Sequence, residues 1–194
     1  LEASDFVLSI TGGNATGISA TPTGISNTSS DPTTESNVWT LTYTITGTAN
    51  GSEELKVVPA SATSIYDAAG NAASNTQNNS NNKDNLKENT VPSFSNITPT
   101  ANSTIKSSND VTYTLSETIT SGTVTFNRTG GTADSNSHQI TLSGTQLQTG
   151  ASRTVTAPDT LVNGAVYTIV FSGTDAAGNT GTASVTGITF DSTA

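Results

Sequence analysis

The residues in this sequence that could do chemistry are mainly carboxylates, and two of them begin the same five-residue word. Residues 67–71 read DAAGN, and residues 175–179 repeat this word letter for letter. Carboxylate oxygens are preferred ligands of calcium, which takes roughly six to eight oxygens in proteins. The same word also has the composition of a tight turn, so a structural role and a cation site are both open.

The turn interpretation accounts for each letter of DAAGN. An Asp side chain at the start of a turn accepts hydrogen bonds from backbone N–H groups two or three positions later. The glycine adopts a left-handed conformation without a Cβ clash, and asparagine tolerates similar angles. The pattern therefore predicts a hairpin connection between the last two strands of each of two similar domains.

The cation interpretation uses acids that follow each DAAGN word. Glu88 begins ENTVP and Asp191 begins DSTA, and both stretches read acid, small polar, Thr and small apolar. We expect Asp67 with Glu88, and Asp175 with Asp191, to bring two carboxylates to one pole of each domain. No EF-hand loop or glycine-rich nonapeptide repeat accompanies them. The candidate calcium ligands are Asp67, Asn71, Glu88, Asp175, Asn179 and Asp191, with Asp84 and Glu117 as spare candidates.

The composition excludes several other classes of function. The net charge is −9, with 15 acidic and 6 basic residues, which disfavours nucleic acid and anionic lipid as partners. There is no cysteine, and no run of about 18 apolar residues could span a membrane. The single histidine, His138, lies in TADSNSHQI, where we expect exposed polar loop residues rather than a catalytic triad. We predict that the protein is not an enzyme.

Alternation of apolar residues with threonine indicates the elements that must position these acids. Residues 38–45 place Trp39, Leu41, Tyr43 and Ile45 on one face, which predicts one half-buried strand with Trp39 in the core. Residues 111–115 and 167–171 alternate in the same way, and residues 6–10 form another candidate strand. No segment has a sustained helical period, so the predicted fold class is all-β.

Residues 73–89 interrupt this pattern with a polar, Asn-rich stretch, and Pro92 comes shortly after it. Proline ends strands and stiffens linkers. We therefore predict two tandem β-sandwich domains, residues 1–88 and 89–194, each about the size of an immunoglobulin domain.

Several stretches carry a resemblance to a known family. Residues 167–193 and 113–126 resemble bacterial immunoglobulin-like repeats, and residues 5–16 and 51–71 are similar to a second subtype of them. The resemblance implies two tandem Ig-like β-sandwich domains, extracellular display on a bacterial surface, and often calcium at module junctions. Such modules occur in large surface proteins, often adhesins, and most of them are spacers.

These expectations lead to one function and two alternatives. The first is a structural stalk segment of a large surface or secreted adhesin, with neighbouring Ig-like modules of the same protein as its partners. The second is a filament, in which another chain supplies an early strand to the first domain; a sequence that starts mid-domain is the preferred explanation for the absence of that strand. The third is a module that binds a surface glycan or protein directly.

Overall fold

A computed structural model describes residues 1–27, 38–78, 83–106 and 109–193. The chain divides into two compact units, Leu1–Thr90 and Val91–Ala194. Regular structure in both units is almost entirely β, apart from short 3-10 turns such as Ala3–Asp5 and Gly144–Leu147. The predicted all-β fold class is thus confirmed. No helix in the part of the chain that the structure describes is long and apolar enough to cross a membrane.

In its described residues, the first unit contains three small antiparallel sheets. One sheet has the order β1-β6-β7, and the other two are the pairs β2-β5 and β3-β4. The strands are β1 (Phe6–Thr11), β2 (Gly17–Ile18), β3 (Gly24–Asn27), β4 (Trp39–Thr42), β5 (Ile45–Thr46), β6 (Glu54–Pro59) and β7 (Lys83–Asn85). In the register of β1 and β6, Leu8 faces Val57 and Ile10 faces Leu55, so period-two alternation builds one apolar face.

Two sequence predictions for the first unit were wrong in detail. Residues 38–45 form two short strands, β4 and β5, because the ladder breaks at Tyr43 and Thr44, and Trp39 is only partly buried. The Asn-rich stretch also contributes a strand, since β7 pairs with Glu54–Lys56 of β6 and the Lys83 ammonium lies 2.9 Å from the Glu54 carboxylate. Backbone pairing with β6 and this ion pair therefore hold β7 in the sheet, although no apolar alternation marks it in the sequence.

The second unit has the two-sheet arrangement of a β-sandwich. One sheet has the order β13-β10-β8, and the other has the order β12-β11-β14-β15-β9. The strands are β8 (Phe94–Thr98), β9 (Thr104–Ile105), β10 (Asp110–Leu115), β11 (Ser121–Gly131), β12 (His138–Thr141), β13 (Arg153–Thr156), β14 (Ala165–Thr174) and β15 (Thr180–Phe190). All pairs are antiparallel except β9 with β15, which run parallel.

Alternate residues of these strands fill the space between the two sheets. Along β14, every second residue from Ala165 to Gly173 is buried, and its neighbours are only partly buried. Phe94, Tyr113 and Phe171 form an aromatic cluster with ring centroids 5.4–5.7 Å apart. Aromatic rings in this range gain edge-to-face contacts beyond their burial, which makes this cluster a major part of the core.

The chain joins the second unit at one end of β15 and leaves it at the other. Pro92 lies against Gly181, next to the turn between β14 and β15. Asp191 follows Phe190 directly, and its N–H donates to the Ile105 carbonyl oxygen at 2.9 Å. The 11 residues of β15 therefore separate the two ends of this unit by roughly 30–35 Å, at about 3.3 Å per residue.

Candidate functional site

Each DAAGN word forms a turn closed by its own side chains. In the first turn, the Asp67 N–H donates to the Asn71 carbonyl oxygen at 3.0 Å. The Asp67 Oδ1 accepts the N–H groups of Ala69 and Asn71 at 2.9 and 2.8 Å, and its Oδ2 accepts the Asn71 side-chain amide at 2.9 Å. These donors, the Asn71 amide above all, lower the pKa of the Asp67 carboxyl.

The second turn repeats this geometry. The Asp175 N–H donates to the Asn179 carbonyl oxygen at 3.0 Å, and both Asp175 carboxylate oxygens accept N–H groups of Asn179 at 2.9 Å. The glycines of the two words, Gly70 and Gly178, have φ of 85° and 92°, the left-handed region that the turn requires. These contacts confirm that both words form turns. The second turn connects β14 to β15 as predicted, but the first closes only the isolated bridge of Tyr66 with Ala72, so the predicted hairpin between the last two strands is wrong for the first unit.

The two turns differ in burial and in their acidic neighbours. Asp175 is 5% exposed, whereas Asp67 is exposed. Within the second unit, a carboxylate oxygen of Glu117 lies within 4.8 Å of one from Asp175. Thr120 Oγ1 donates to the Asp175 carbonyl oxygen at 3.0 Å, so Asp175 is fixed through its backbone as well as through its side chain. Two carboxylates at this distance supply part of the oxygen shell that calcium requires.

The expected pairing of Asp175 with Asp191 is wrong, whereas that of Asp67 with Glu88 stays a prediction. Asp175 and Asp191 lie beyond opposite ends of β15, so they cannot share one pole of the second unit. The Asp191 carboxylate instead accepts the N–H and hydroxyl of Thr193. In the first unit, the side-chain hydrogen bonds recorded for Asp67 stay within its own turn. Glu88 accepts the Thr90 N–H beside it, and its side chain lies 3.2 Å from where a Cβ on Gly51 would be.

His138 is buried, which corrects its expected place in an exposed loop. It is the first residue of β12, and its side chain and that of Asp134 are 3% and 0% exposed. The His138 Nε2 lies 2.7 Å from Asp134 Oδ2, and its Nδ1 lies 3.1 Å from Thr160 Oγ1. The Tyr167 hydroxyl donates to the same Asp134 oxygen at 2.6 Å and accepts the Val162 N–H at 2.9 Å.

This network has clear electrostatic consequences. Hydrogen bonds from the Tyr167 hydroxyl, the Asn136 N–H and His138 lower the pKa of Asp134 to about 2. Burial, together with the neighbouring Asp134, raises the pKa of Tyr167. Asp134 is therefore ionised and holds the loop after β11 against β12 and β14, which is a structural role for a histidine–carboxylate pair.

Glu53 is a second buried carboxylate that the sequence analysis did not single out. It is fully buried and accepts N–H groups from Asn14, Ala15, Asn50 and Gly51 at 2.7–3.1 Å. These bonds, above all that from the Ala15 N–H, lower the pKa of Glu53 to about 2 despite burial. Glu53 thus ties the segment after β1 to the one before β6. In the sequence, the available sign of this buried carboxylate was an acidic residue directly after the turn-forming residues Asn-Gly-Ser.

Comparisons with known proteins bear on the second unit. A family model described as bacterial Ig-like domain matches residues 88–192, which is more than half of the chain. A search of curated proteins finds no match to the chain. Domains of the matched family are typical of bacterial surface proteins and are typically non-enzymatic.

Proposed function

Because the chain belongs to the bacterial Ig-like domain family, we propose that it is a structural stalk segment of a large bacterial surface or secreted adhesin. In this role the segment acts as a spacer that sets the distance between an anchor and a distal binding region. The neighbouring Ig-like modules of the same protein are its partners. The predicted tandem arrangement, with domains 1–88 and 89–194, is part of this proposal.

The observation that carries the proposal is the placement of the two ends of the second unit. The chain joins this unit beside Gly181 and leaves it after Phe190, at opposite ends of β15. A module with this connectivity adds roughly 30–35 Å to the distance between its two neighbours along the chain. A module whose two ends lay side by side would add almost nothing.

The outer faces of the two sheets also suit a solvated spacer. Hydroxyl pairs join neighbouring strands there: Thr98 with Thr112 at 2.7 Å, and Thr174 with Thr180 at 2.8 Å. Such pairs stabilise neighbouring strands without apolar contact. A face of this kind stays wetted while the opposite face packs in the core.

Copy number provides the test of this function. One, two or four copies of the 194-residue chain would be placed between a cell-surface anchor and a fluorescent tag. We expect the height of the tag above the membrane to grow in proportion to the number of copies. A flexible Gly/Ser linker of equal length is the control, because its span grows only as the square root of length. Square-root growth for the chain itself would contradict the stalk role.

Two other roles give different results with the purified chain. A molecular mass that rises with concentration would favour the filament joined by strand complementation. Retention of the isolated chain on cells or glycan surfaces would favour a direct binding module. A monomer that is not retained on either surface supports the stalk.

We also propose that calcium stiffens the protein at its acidic turns. The supporting observation is the close approach of Glu117 and Asp175. Asp67, Asn71, Glu88, Asn179 and Asp191 remain predicted ligands, but Asp191 does not join Asp175. If bound, calcium would link the loop after β10 to the turn between β14 and β15.

A further inference from the structure

His138 connects an exposed hydroxyl to a buried carboxylate. Its Nδ1 lies 3.1 Å from Thr160 Oγ1, and its Nε2 lies 2.7 Å from Asp134 Oδ2. Thr160 is exposed, whereas the side chains of His138 and Asp134 are 3% and 0% exposed. The three side chains therefore form a series of two hydrogen bonds that runs from the surface of the second unit into its interior.

Asp134 decides which nitrogen of the imidazole carries a hydrogen. Its pKa is lowered to about 2, so it is ionised at neutral pH and can only accept hydrogen bonds. The Nε2 of His138 is therefore a donor, and in the neutral ring Nδ1 is then a bare acceptor that faces the Thr160 hydroxyl. A nitrogen in this position can take the hydroxyl proton when the oxygen attacks an electrophile.

The surrounding structure holds the hydroxyl and the ring in place. The rings of His138 and Tyr167 pack edge to face, with centroids 6.0 Å apart and an interplanar angle of 82°. Leu161, which follows Thr160 directly, is 5% exposed, and the N–H of Val162 donates to the Tyr167 hydroxyl at 2.9 Å. A nucleophile and a base that are fixed before the reaction lower the entropic part of its barrier.

We propose that Thr160 is a nucleophilic hydroxyl that accepts an acyl group from activated carboxylic esters, with His138 as its general base and Asp134 as the residue that positions the imidazole. The Thr160 oxygen bonds to the acyl carbon as the C–O bond of the ester breaks. The hydroxyl proton passes to His138 Nδ1 and then to the departing alkoxide. The products are an acylated threonine and a free alcohol, and this single acylation is independent of the proposed stalk function.

The experiment treats the full chain with p-nitrophenyl acetate. Release of p-nitrophenolate gives the rate, and peptide mass spectrometry locates the acetyl group. Hydroxylamine removes acetyl groups from hydroxyls but not from lysine amines, so the two kinds of label are distinguished. Thr156 is the control within the same molecule, because it is also exposed and its hydroxyl lies 3.4 Å from Asp110 Oδ1, a carboxylate rather than an imidazole.

The label should concentrate on Thr160. A positioned general base contributes roughly 10²–10⁴-fold to a rate, so we expect Thr160 to be acetylated at least about tenfold faster than Thr156. Thr160→Val should remove this label, whereas Thr160→Ser should retain it, since serine keeps the hydroxyl.

The pH profile separates assistance by the imidazole from simple exposure. The rate at Thr160 should reach a plateau as the pH rises, because the base is the neutral ring, whereas the rate at an unassisted hydroxyl continues to rise with hydroxide. Asp134 and Tyr167 contact the ring, and Arg128 acts electrostatically on Tyr167. Asp134 stays ionised, Arg128 stays cationic, and the raised pKa of Tyr167 keeps its hydroxyl protonated, so the plateau reports the imidazole.

Asp134→Asn tests the positioning role. An amide in place of the carboxylate no longer fixes the tautomer of the ring, so labelling of Thr160 should slow at least about tenfold, with labelling of Thr156 unchanged. Circular dichroism checks that this variant is folded.

Equal rates at Thr160 and Thr156 would overturn the proposal. So would a rate at Thr160 that rises with pH without a plateau, or one that is unchanged in folded Asp134→Asn. If Asp134→Asn does not fold, the first two measurements still decide the question, because they need no variant. Each of these results leaves the copy-number test of the stalk unaffected.

Discussion

The carbonyl oxygen of Pro92 occupies the space that a Cβ on Gly181 would need. Pro92 is buried at the start of the second unit, and Gly181 is buried near the start of β15. We expect Gly181→Ala to lower the free energy of unfolding by about 1–3 kcal/mol, because overpacking forces the backbone to shift. Chemical denaturation followed by circular dichroism measures this. Gly130→Ala is the control, since the nearest atom to its Cβ is 3.7 Å away, and a loss as large there would contradict the explanation.

The buried Glu53 carboxylate predicts an acid-sensitive first unit. Its pKa falls from 4.5 to about 2 on folding. A lowered pKa contributes stability above pH 4.5, and this contribution is lost as the pH falls toward 2. We expect Glu53→Gln to destabilise the unit at neutral pH and to flatten this acid dependence, since its amide would face backbone donors. Fluorescence of Trp39 follows the unit, because Trp39 is the single tryptophan.

Glu54→Gln is the matched control for Glu53. Glu54 is the next residue, and its carboxylate makes a partly exposed ion pair with Lys83. Such pairs contribute little to stability. An acid profile of Glu53→Gln that matches that of Glu54→Gln would show that the buried carboxylate has no special role.

Asp134 predicts a corresponding acid dependence in the second unit. Its pKa falls from 3.8 to about 2, so its stabilising effect is present above pH 3.8 and is lost as the pH approaches 2. Asp134→Asn should remove this dependence and leave Tyr167 and His138 without their ionised acceptor. Circular dichroism during acid titration measures the acid dependence of the stability of the second unit. Asp159→Asn, at an exposed site, should keep the parent's profile; if it does not, the effect belongs to net charge.

The uneven distribution of core residues predicts two unfolding transitions. In the described residues, every buried residue of the apolar core cluster lies between Phe94 and Phe190, in the second unit. The buried hydrophobic residues recorded for the first unit are Leu8, Ala15 and Ala49. Since burial supplies most of the stability, we expect Trp39 fluorescence to change at lower denaturant than the main circular dichroism transition. Coincident transitions would show that the units unfold together.

Calcium binding predicts a thermal shift that depends on Glu117. A cation that binds only the folded state adds about 2.7 kcal/mol at roughly 100 times its dissociation constant. We expect millimolar calcium to raise the melting temperature, and Glu117→Gln to remove most of this rise. Glu54→Gln should keep it. An unchanged melting temperature of the parent protein in calcium would rule out the site.

The sequence predicted the elements whose signal is local. The alternation at residues 111–115 and 167–171 correctly predicted β10 and β14, and the DAAGN words correctly predicted turns, because each of these patterns can be read within a short run of consecutive residues. Strand β7 was not predicted, because its hydrogen-bonding partners lie in β6 and its own sequence has no apolar alternation.

The long-range contacts of charged groups could not be predicted in the same way. Glu53 meets Ala15 across 38 positions, and Tyr167 meets Asp134 across 33. Nothing local distinguishes these acids from exposed ones. The pairing of Asp175 with Asp191 failed for a related reason: they are close in sequence, but an extended strand of 11 residues carries them apart.

The contact between Thr160 and His138 has one more consequence. With Asp134 ionised, the Nε2 of His138 donates to that carboxylate, and the Nδ1 faces the Thr160 hydroxyl. A hydroxyl can rotate to give or to receive hydrogen, so Thr160 completes the hydrogen bonding of the ring. The loop after β11 and the loop after β13 are therefore fastened to the same imidazole, one at each nitrogen.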